Sequence, residues 1–260
     1  MATKVFQAHP ISGLRFNARV DFVIPFHGQY EKVTKAVESI FRCVLDVPYH
    51  VCLVDDASPN QDFVQQLSKV NSITCIRNEK QKGFGYSMQK GFMATVNPYI
   101  VFMNSDCEIN DMNWVSTLGL SLLELKDQNV RMIVPRTNNP VNGDSRQRGE
   151  KGELTDDTVL EDGFLSMYCF MCHRELFDRM GGFIKPYPYG FYEDEEFAFR
   201  MRACNFKQAI SGKTWIYHHG ESTIDELWRT DPLIREKMED NRERCKKDMQ
   251  EIKNKMRPSS

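Results

Sequence analysis

Three apolar runs, each stopping on polar side chains, constrain this chain more than any other feature. They are VDFVIPFHG from Val20, VCLVDDAS from Val51 and YIVFMNSDC from Tyr99. Each holds a continuous hydrophobic stretch of about four or five residues, the pattern of a strand buried on both faces of a parallel sheet. Between the first two, Val33, Ala36, Val37, Ile40, Phe41 and Val44 recur at helical spacing, and Pro48 then breaks the chain. Asp55 to Asp62 reads as a loop, followed by a helix through Leu67, a strand over Ile73–Arg77 and a helix over Gly83–Val96. This β-α-β-α-β-α-β order predicts an α/β fold with a mixed, mostly parallel twisted sheet flanked by helices. Ligands bind such sheets at the carboxyl ends of the strands, where this chain gathers its polar residues.

Further along, Trp114–Leu125 reads as a helix, Met132–Pro135 and Phe164–Cys172 as strands, and Arg174–Met180 as a helical turn stopped by Gly181 and Gly182. Arg136–Asp162 is polar and aperiodic, which suggests a mobile, substrate-facing loop or plain disorder. After Thr223 the chain reads as a charged helix over Pro232–Arg257, either solvated or docked on a membrane surface or acceptor. The expected organisation is an arm over residues 1–19, one domain over 20–224 and the charged helix over 225–260. Within the domain, a nucleotide-binding half covers about 20–110 and an acceptor half 111–224.

No global basic field points to nucleic acid or an anionic membrane, since 34 Lys and Arg against 36 Asp and Glu leave a net −2, while the basic C-terminal helix leaves anionic acceptors open. No apolar run approaches the ~18 residues of a membrane span. The eight cysteines lie mostly in apolar runs, as reduced buried cysteines do, so the chain is expected to be cytoplasmic. Cys169 and Cys172 form a lone CxxC, read as two buried strand positions.

The residues that carry chemistry fall at the ends of these elements. Asn104-Ser105-Asp106 supplies hard oxygen ligands for Mn²⁺ or Mg²⁺, ions that also draw ligands from substrate phosphates. Asp55 and Asp56 are placed to accept from a base N–H or a ribose hydroxyl, and Lys82 beside Gly83 and Gly85 lets backbone and positive charge approach a nucleotide. Glu193, Asp194, Glu195 and Glu196 open a helix, a position that tolerates negative charge. His218 and His219 return about two dozen residues later as a metal ligand or proton partner. Trp215 and Tyr217 read as core, and Arg200 as a structural partner for a carboxylate.

In order and spacing, this set resembles the family-2 inverting glycosyltransferases of GT-A fold, most of all the rhamnosyltransferase-like branch. The matching landmarks run from VIPFHG through Asp55, Asp56 and Ser58, then Asn78, Gly83, Phe84, Gly85 and Gly91, then Asn104 and Asp106. They continue with Gly181, Gly182 and Phe183, then Glu193, Asp194, Phe197, Phe199 and Arg200, then His218, Gly220, Ser222 and Thr223. Gln89 and Asn205 depart from the pattern, where Asn and Gly are usual. The resemblance implies a sugar transferred with inversion from a nucleotide-diphosphate sugar, UDP- or dTDP-linked, to an acceptor hydroxyl. It leaves the acceptor open among a glycan, a lipid-linked saccharide, a protein and a modified nucleobase. It implies a metal at Asp106 and His218, donor contacts at Pro25, Asp55, Asp56, Lys82, Gly83 and Asn104, Asp194 as base, and Glu193 holding hydroxyls. Two alternatives stand beside it: a retaining transferase like the polypeptide N-acetylgalactosaminyltransferases, whose metal triplet ends in His rather than Asp, and an inactive nucleotide-sugar-binding module.

Overall fold

The computed structural model describes residues 16–180, 187, 191–220 and 232–256. Gly181, Gly182, Phe183, Ser222, Thr223 and most of the expected arm lie outside them.

The chain folds into one mixed nine-stranded sheet with helices packed against it. The first half is a parallel unit: β1 (Val20–Phe26), α1 (Tyr30–Cys43), β2 (Tyr49–Asp55), α2 (Gln61–Leu67), β3 (Ile73–Arg77), α3 (Phe84–Ala94) and β4 (Tyr99–Met103). β1 is buried along its whole length, and α1 turns Val33, Ala36, Val37 and Ile40 onto the sheet. That is the two-sided burial its unbroken apolar run demands. The second half is β5 (Cys107–Ile109), α4 (Trp114–Glu124), β6 (Val130–Thr137), β7 (Thr158–Leu160), β8 (Cys169–His173), α5 (Glu175–Arg179), α6 (Glu193–Ala203), β9 (Lys207–His218) and α7 (Ile234–Met256).

Strand order is β3-β2-β1-β4-β8-β6-β9-β5, with β7 on β9. Parallel pairing covers β3-β2-β1-β4 and β6-β9. β4 meets β8, β8 meets β6, and β5 and β7 meet β9 antiparallel, so parallel ladders do not outnumber antiparallel ones.

Several expectations change. Tyr99–Cys107 is two strands, not one: the Cys107 amide donates to the Asn104 carbonyl at 3.1 Å, and this tight turn sends the chain from β4 to β5 on the far side of the sheet. β8 starts at Cys169, not Phe164. The segment 136–162 has structure of its own, because its polar side chains bond within the fold. Buried Gln147 exchanges two hydrogen bonds with the Ser166 backbone at 2.9 and 3.0 Å, Arg136 pairs with Glu153 at 2.8 Å, and β7 joins the sheet. Tyr217 is half-exposed, whereas Trp215 is buried and donates to the Gly149 carbonyl. The charged helix α7 is not solvated all round. It packs on α6, burying Ile234, Asn241 and Cys245, and Tyr187 donates to Asp248 at 2.8 Å. Phe16, at the end of the expected arm, is buried edge-on to Tyr99. Cys169 and Cys172 are buried free cysteines in β8.

α3 packs against the sheet at Gly91, where there is no room for a Cβ. A Cβ there would sit 2.3 Å from Val23 Cγ1 and 3.0 Å from Val54 Cγ2, side chains of the two central parallel strands. Gly91→Ala gains helix propensity of about 1 kcal/mol, but overpacking a rigid core outweighs it. The expected net loss is about 2 kcal/mol, read as a fall of roughly 4–8 °C in the thermal midpoint. An unchanged or higher midpoint would show that the helix–sheet spacing is not set by this contact.

Candidate active site

The carboxyl ends of β1, β2 and β4 open into a cleft of about 1000 Å³. The other wall comes from residues 141–143, 164–168 and the start of α6, with Met238 of α7 at its edge.

At the β2 end the two aspartates divide. Asp55 is fully buried: one carboxylate oxygen accepts from the Ser58 amide at 2.8 Å and the other pairs with Arg77, whose second nitrogen donates to the Ser58 carbonyl. Both oxygens are thus engaged in joining the ends of β2 and β3, and Asp55 does not line the cleft. Asp56 does line it. Its oxygens accept from the amides of Lys82 at 2.9 Å and Gly83 at 2.8 Å and from Asn78 at 2.7 Å, which anchors the loop before α3. Gly83 has a positive φ of 91°, a conformation that suits glycine. Lys82, Gly83 and Pro25 border the cleft, and Pro25 lies within β1 in register with Val54 rather than ending the strand. His27 also borders it, with Nδ1 donating to the Asp56 carbonyl at 2.8 Å. It follows the β1 run directly, so its place after the strand is the signal that marks it.

Asn104 and Asp106 sit in the tight turn between β4 and β5. Cys107 of β5 pairs with His218 of β9, which brings His218 Nε2 to 3.4 Å from Asp106 Oδ1. His219 points elsewhere, to Glu108 at 2.6 Å. Burial disfavours charge on both Asp106 and His218, but each stabilises the charged form of the other. The Asp106 carboxyl is therefore held below its ordinary range and the His218 imidazole above it. Asn104 Oδ1 and Asp106 Oδ2 are buried with no hydrogen-bond partner. Such orphaned atoms are costly unless something binds them. Asp106, Cys107 and His218 could together hold a metal ion, but the Cys107 thiol is driven well above its usual range, by burial first, and donates to the Tyr168 carbonyl. The Asp106 carboxylate and His218 imidazole that remain, with the orphaned Asn104 Oδ1 two residues from Asp106, suit Mn²⁺ or Mg²⁺.

Opposite, α6 starts at Glu193 after Phe191 and Tyr192, both with positive φ, of 76° and 70°. Strain of this kind in two bulky residues persists only where the fold imposes it. It delivers Glu193, Asp194 and Glu195 to the cleft, while Glu196 is buried against Arg200 at 3.0 Å. Glu193 is buried with Oε1 lacking a partner, and burial first, then the charge of Asp194, pushes its pKa well above the carboxylate range. Burial likewise raises Asp194 to about 7; Glu195 adds to the shift and the Met167 amide, donating at 3.2 Å, opposes it. The site thus sets a carboxyl held protonated beside one poised to exchange a proton near neutral pH.

A family model for glycosyl transferase family 2 matches residues 21–181. Human polypeptide N-acetylgalactosaminyltransferase 14 is 27% identical over 115 residues, 44% of this chain and 20% of that protein. Drosophila melanogaster N-acetylgalactosaminyltransferase 7 is 27% identical over 107 residues, 38% of this chain and 18% of that protein. The chain thus spans about a fifth of the length of the curated relatives it matches. Among solved structures, GalNAc-T7 with UDP, GalNAc and Mn²⁺ superposes with a TM-score of 0.59 at 17% identity, covering 78% of this chain and 43% of that one. The mannosyltransferase PcManGT from Pyrobaculum calidifontis, in complex with GDP-Man and Mn²⁺, gives 0.57 at 15% identity, covering 82% and 60%. These likenesses, with the nine-stranded mixed sheet, make the fold GT-A. With the family model matching more than half of its length, the chain belongs to glycosyl transferase family 2.

Proposed function

We propose that this protein transfers a sugar from a nucleoside diphosphate sugar to an acceptor hydroxyl, with Asp194 as the base. The observation that carries the proposal is one cleft holding the orphaned oxygens of Asn104 and Asp106 beside His218, opposite a carboxyl poised near neutrality. Asn104, Asp106 and His218 hold the divalent cation; when bound, it neutralises charge on the leaving diphosphate. The Gly83 loop, fixed by Asp56, borders the donor's phosphates, and Lys82 adds positive charge there. Asp194 takes the proton from the acceptor hydroxyl as that oxygen attacks the anomeric carbon. The bond from that carbon to the diphosphate oxygen breaks, and its electrons leave with the nucleoside diphosphate. Glu193, protonated, donates a hydrogen bond to a sugar hydroxyl. Complexes of the structural neighbours with UDP or GDP-Man support a nucleotide-sugar donor, and the first to test is a UDP-sugar.

A base on the face opposite the leaving group inverts the anomeric centre. The second reading, retention, draws on the likeness to polypeptide N-acetylgalactosaminyltransferases over 115 residues. Nuclear magnetic resonance of the freshly formed product separates the two, and inversion is the expected outcome. A retained configuration would remove Asp194 from its role as base.

Asp194→Asn is nearly isosteric and is expected to keep donor affinity while transfer falls about 10²- to 10⁴-fold. In the unsubstituted protein the base must be ionised, so kcat/KM is expected to rise with pH and level off above an apparent pKa of about 7. A near-normal rate for Asp194→Asn, or a profile flat from pH 5 to about 8, would sink the assignment. Asp106→Ala is expected to lose the Mn²⁺-dependent part of UDP affinity, measured by calorimetry, and to match the parent in chelator. Equal affinity in Mn²⁺ would place the metal elsewhere.

A further inference from the structure

His218 is held by a residue outside the ligand set. β6 ends at Thr137, in register with Ile216 of β9. Beyond that end, the Asn138 side chain continues the ladder in place of a peptide group. Its Oδ1 accepts from the His218 amide at 2.8 Å and its Nδ2 donates to the His218 carbonyl at 3.0 Å. The amide has one workable orientation, because the His218 N–H can only donate and its carbonyl can only accept; the Thr137 hydroxyl adds a bond to Oδ1 at 3.2 Å. Arg148 in turn fixes the Asn138 carbonyl at 2.9 Å. The next residue acts on the ring: His218 Nδ1 lies 2.6 Å from the Asn139 carbonyl, which can only accept, so Nδ1 carries the hydrogen. Nε2, 3.4 Å from Asp106, is then the nitrogen left to offer a lone pair. On the other side, the His218 backbone pairs with Cys107 of β5, the residue after Asp106.

We propose that Asn138 and the Asn139 carbonyl form the mount that presents His218 Nε2 to the metal, making Asn138 a positioning residue for divalent-cation affinity. This inference rests on the metal reading above. Groups that orient a ligating histidine change metal affinity by about 10- to 100-fold when removed. The mount leads into Val141, Asn142 and Gly143, which border the cleft, so the segment singled out by its polarity reaches both the metal set and the substrate space.

The test is Mn²⁺ titration followed by electron paramagnetic resonance, on the full chain without nucleotide. Asn138→Ala is expected to weaken Mn²⁺ binding by about 10- to 100-fold. Asn138→Gln, which keeps the amide but moves it by one methylene, is expected to fall between that variant and the parent. Thermal melts establish that each variant is folded, and either one suffices. Long-range ¹H–¹⁵N correlation of the histidine rings, recorded above the imidazole titration range, gives a second readout. The parent is expected to show His218 as the Nδ1–H tautomer, and the variants a mixture. A parent that binds Mn²⁺ and folded variants that match its Kd overturn the inference alone. A parent that binds no Mn²⁺ overturns the metal reading and this inference with it.

Discussion

The Cys107 amide donating to the Asn104 carbonyl at 3.1 Å decides where the chain's polar groups end up. Without that turn, β4 would run on and carry Asp106 past the sheet. With it, the chain leaves the parallel half, enters β5 and pairs with the far end of β9. Cys107 opposite His218 is the result, and Asp106 and His218 become neighbours although they lie in different halves of the sequence. The turn is itself pinned by the Asn104 amide, which donates to the Tyr168 carbonyl at 2.8 Å, and the Tyr168 ring stacks on that of His218 at 5.3 Å. Backbone pairing, which is obligatory for buried peptide groups, thus fixes the site before any ligand arrives.

The same side chain serves different ends according to what surrounds it. Asp55 and Asp194 are both carboxylates at element ends. Asp55 meets Arg77 and the Ser58 amide and becomes a tie between two strands. Asp194 meets one amide and is half-buried in the cleft wall, and burial raises its pKa to about 7. Asp56, between these extremes, accepts from the Lys82 and Gly83 amides and shapes their loop while still bordering the cleft.

Much of this was legible in the sequence. β1, α1, β2, β3 and α3 follow from apolar periodicity and breakers, which are local properties, and the acidic start of α6 is where the Glu193–Glu196 cluster indicates. What was not legible depends on distant contacts. Nothing within residues 99–107 marks the turn, because Asn-Ser-Asp suits both a strand end and a turn. The polar run over 136–162 looks structureless until Gln147 finds the Ser166 backbone and Asn138 finds His218. The charges of α7 hide the stripe that packs on α6, since Ile234, Asn241 and Cys245 are too few and too mixed to form an apolar pattern. The pairing of Asp55 with Arg77 was hidden for the same reason: the partner lies one strand away.

The central claim is that Asn104, Asp106 and His218 form one divalent-metal set within the cleft that Asp194 faces. The most direct measurement is anomalous diffraction at the manganese edge from crystals grown with Mn²⁺ and UDP. A single strong peak within coordination distance of Asp106 and His218, next to the diphosphate, is the predicted result. Bound UDP with its diphosphate away from the Asp106 turn, or a manganese peak that bypasses His218, would contradict the account.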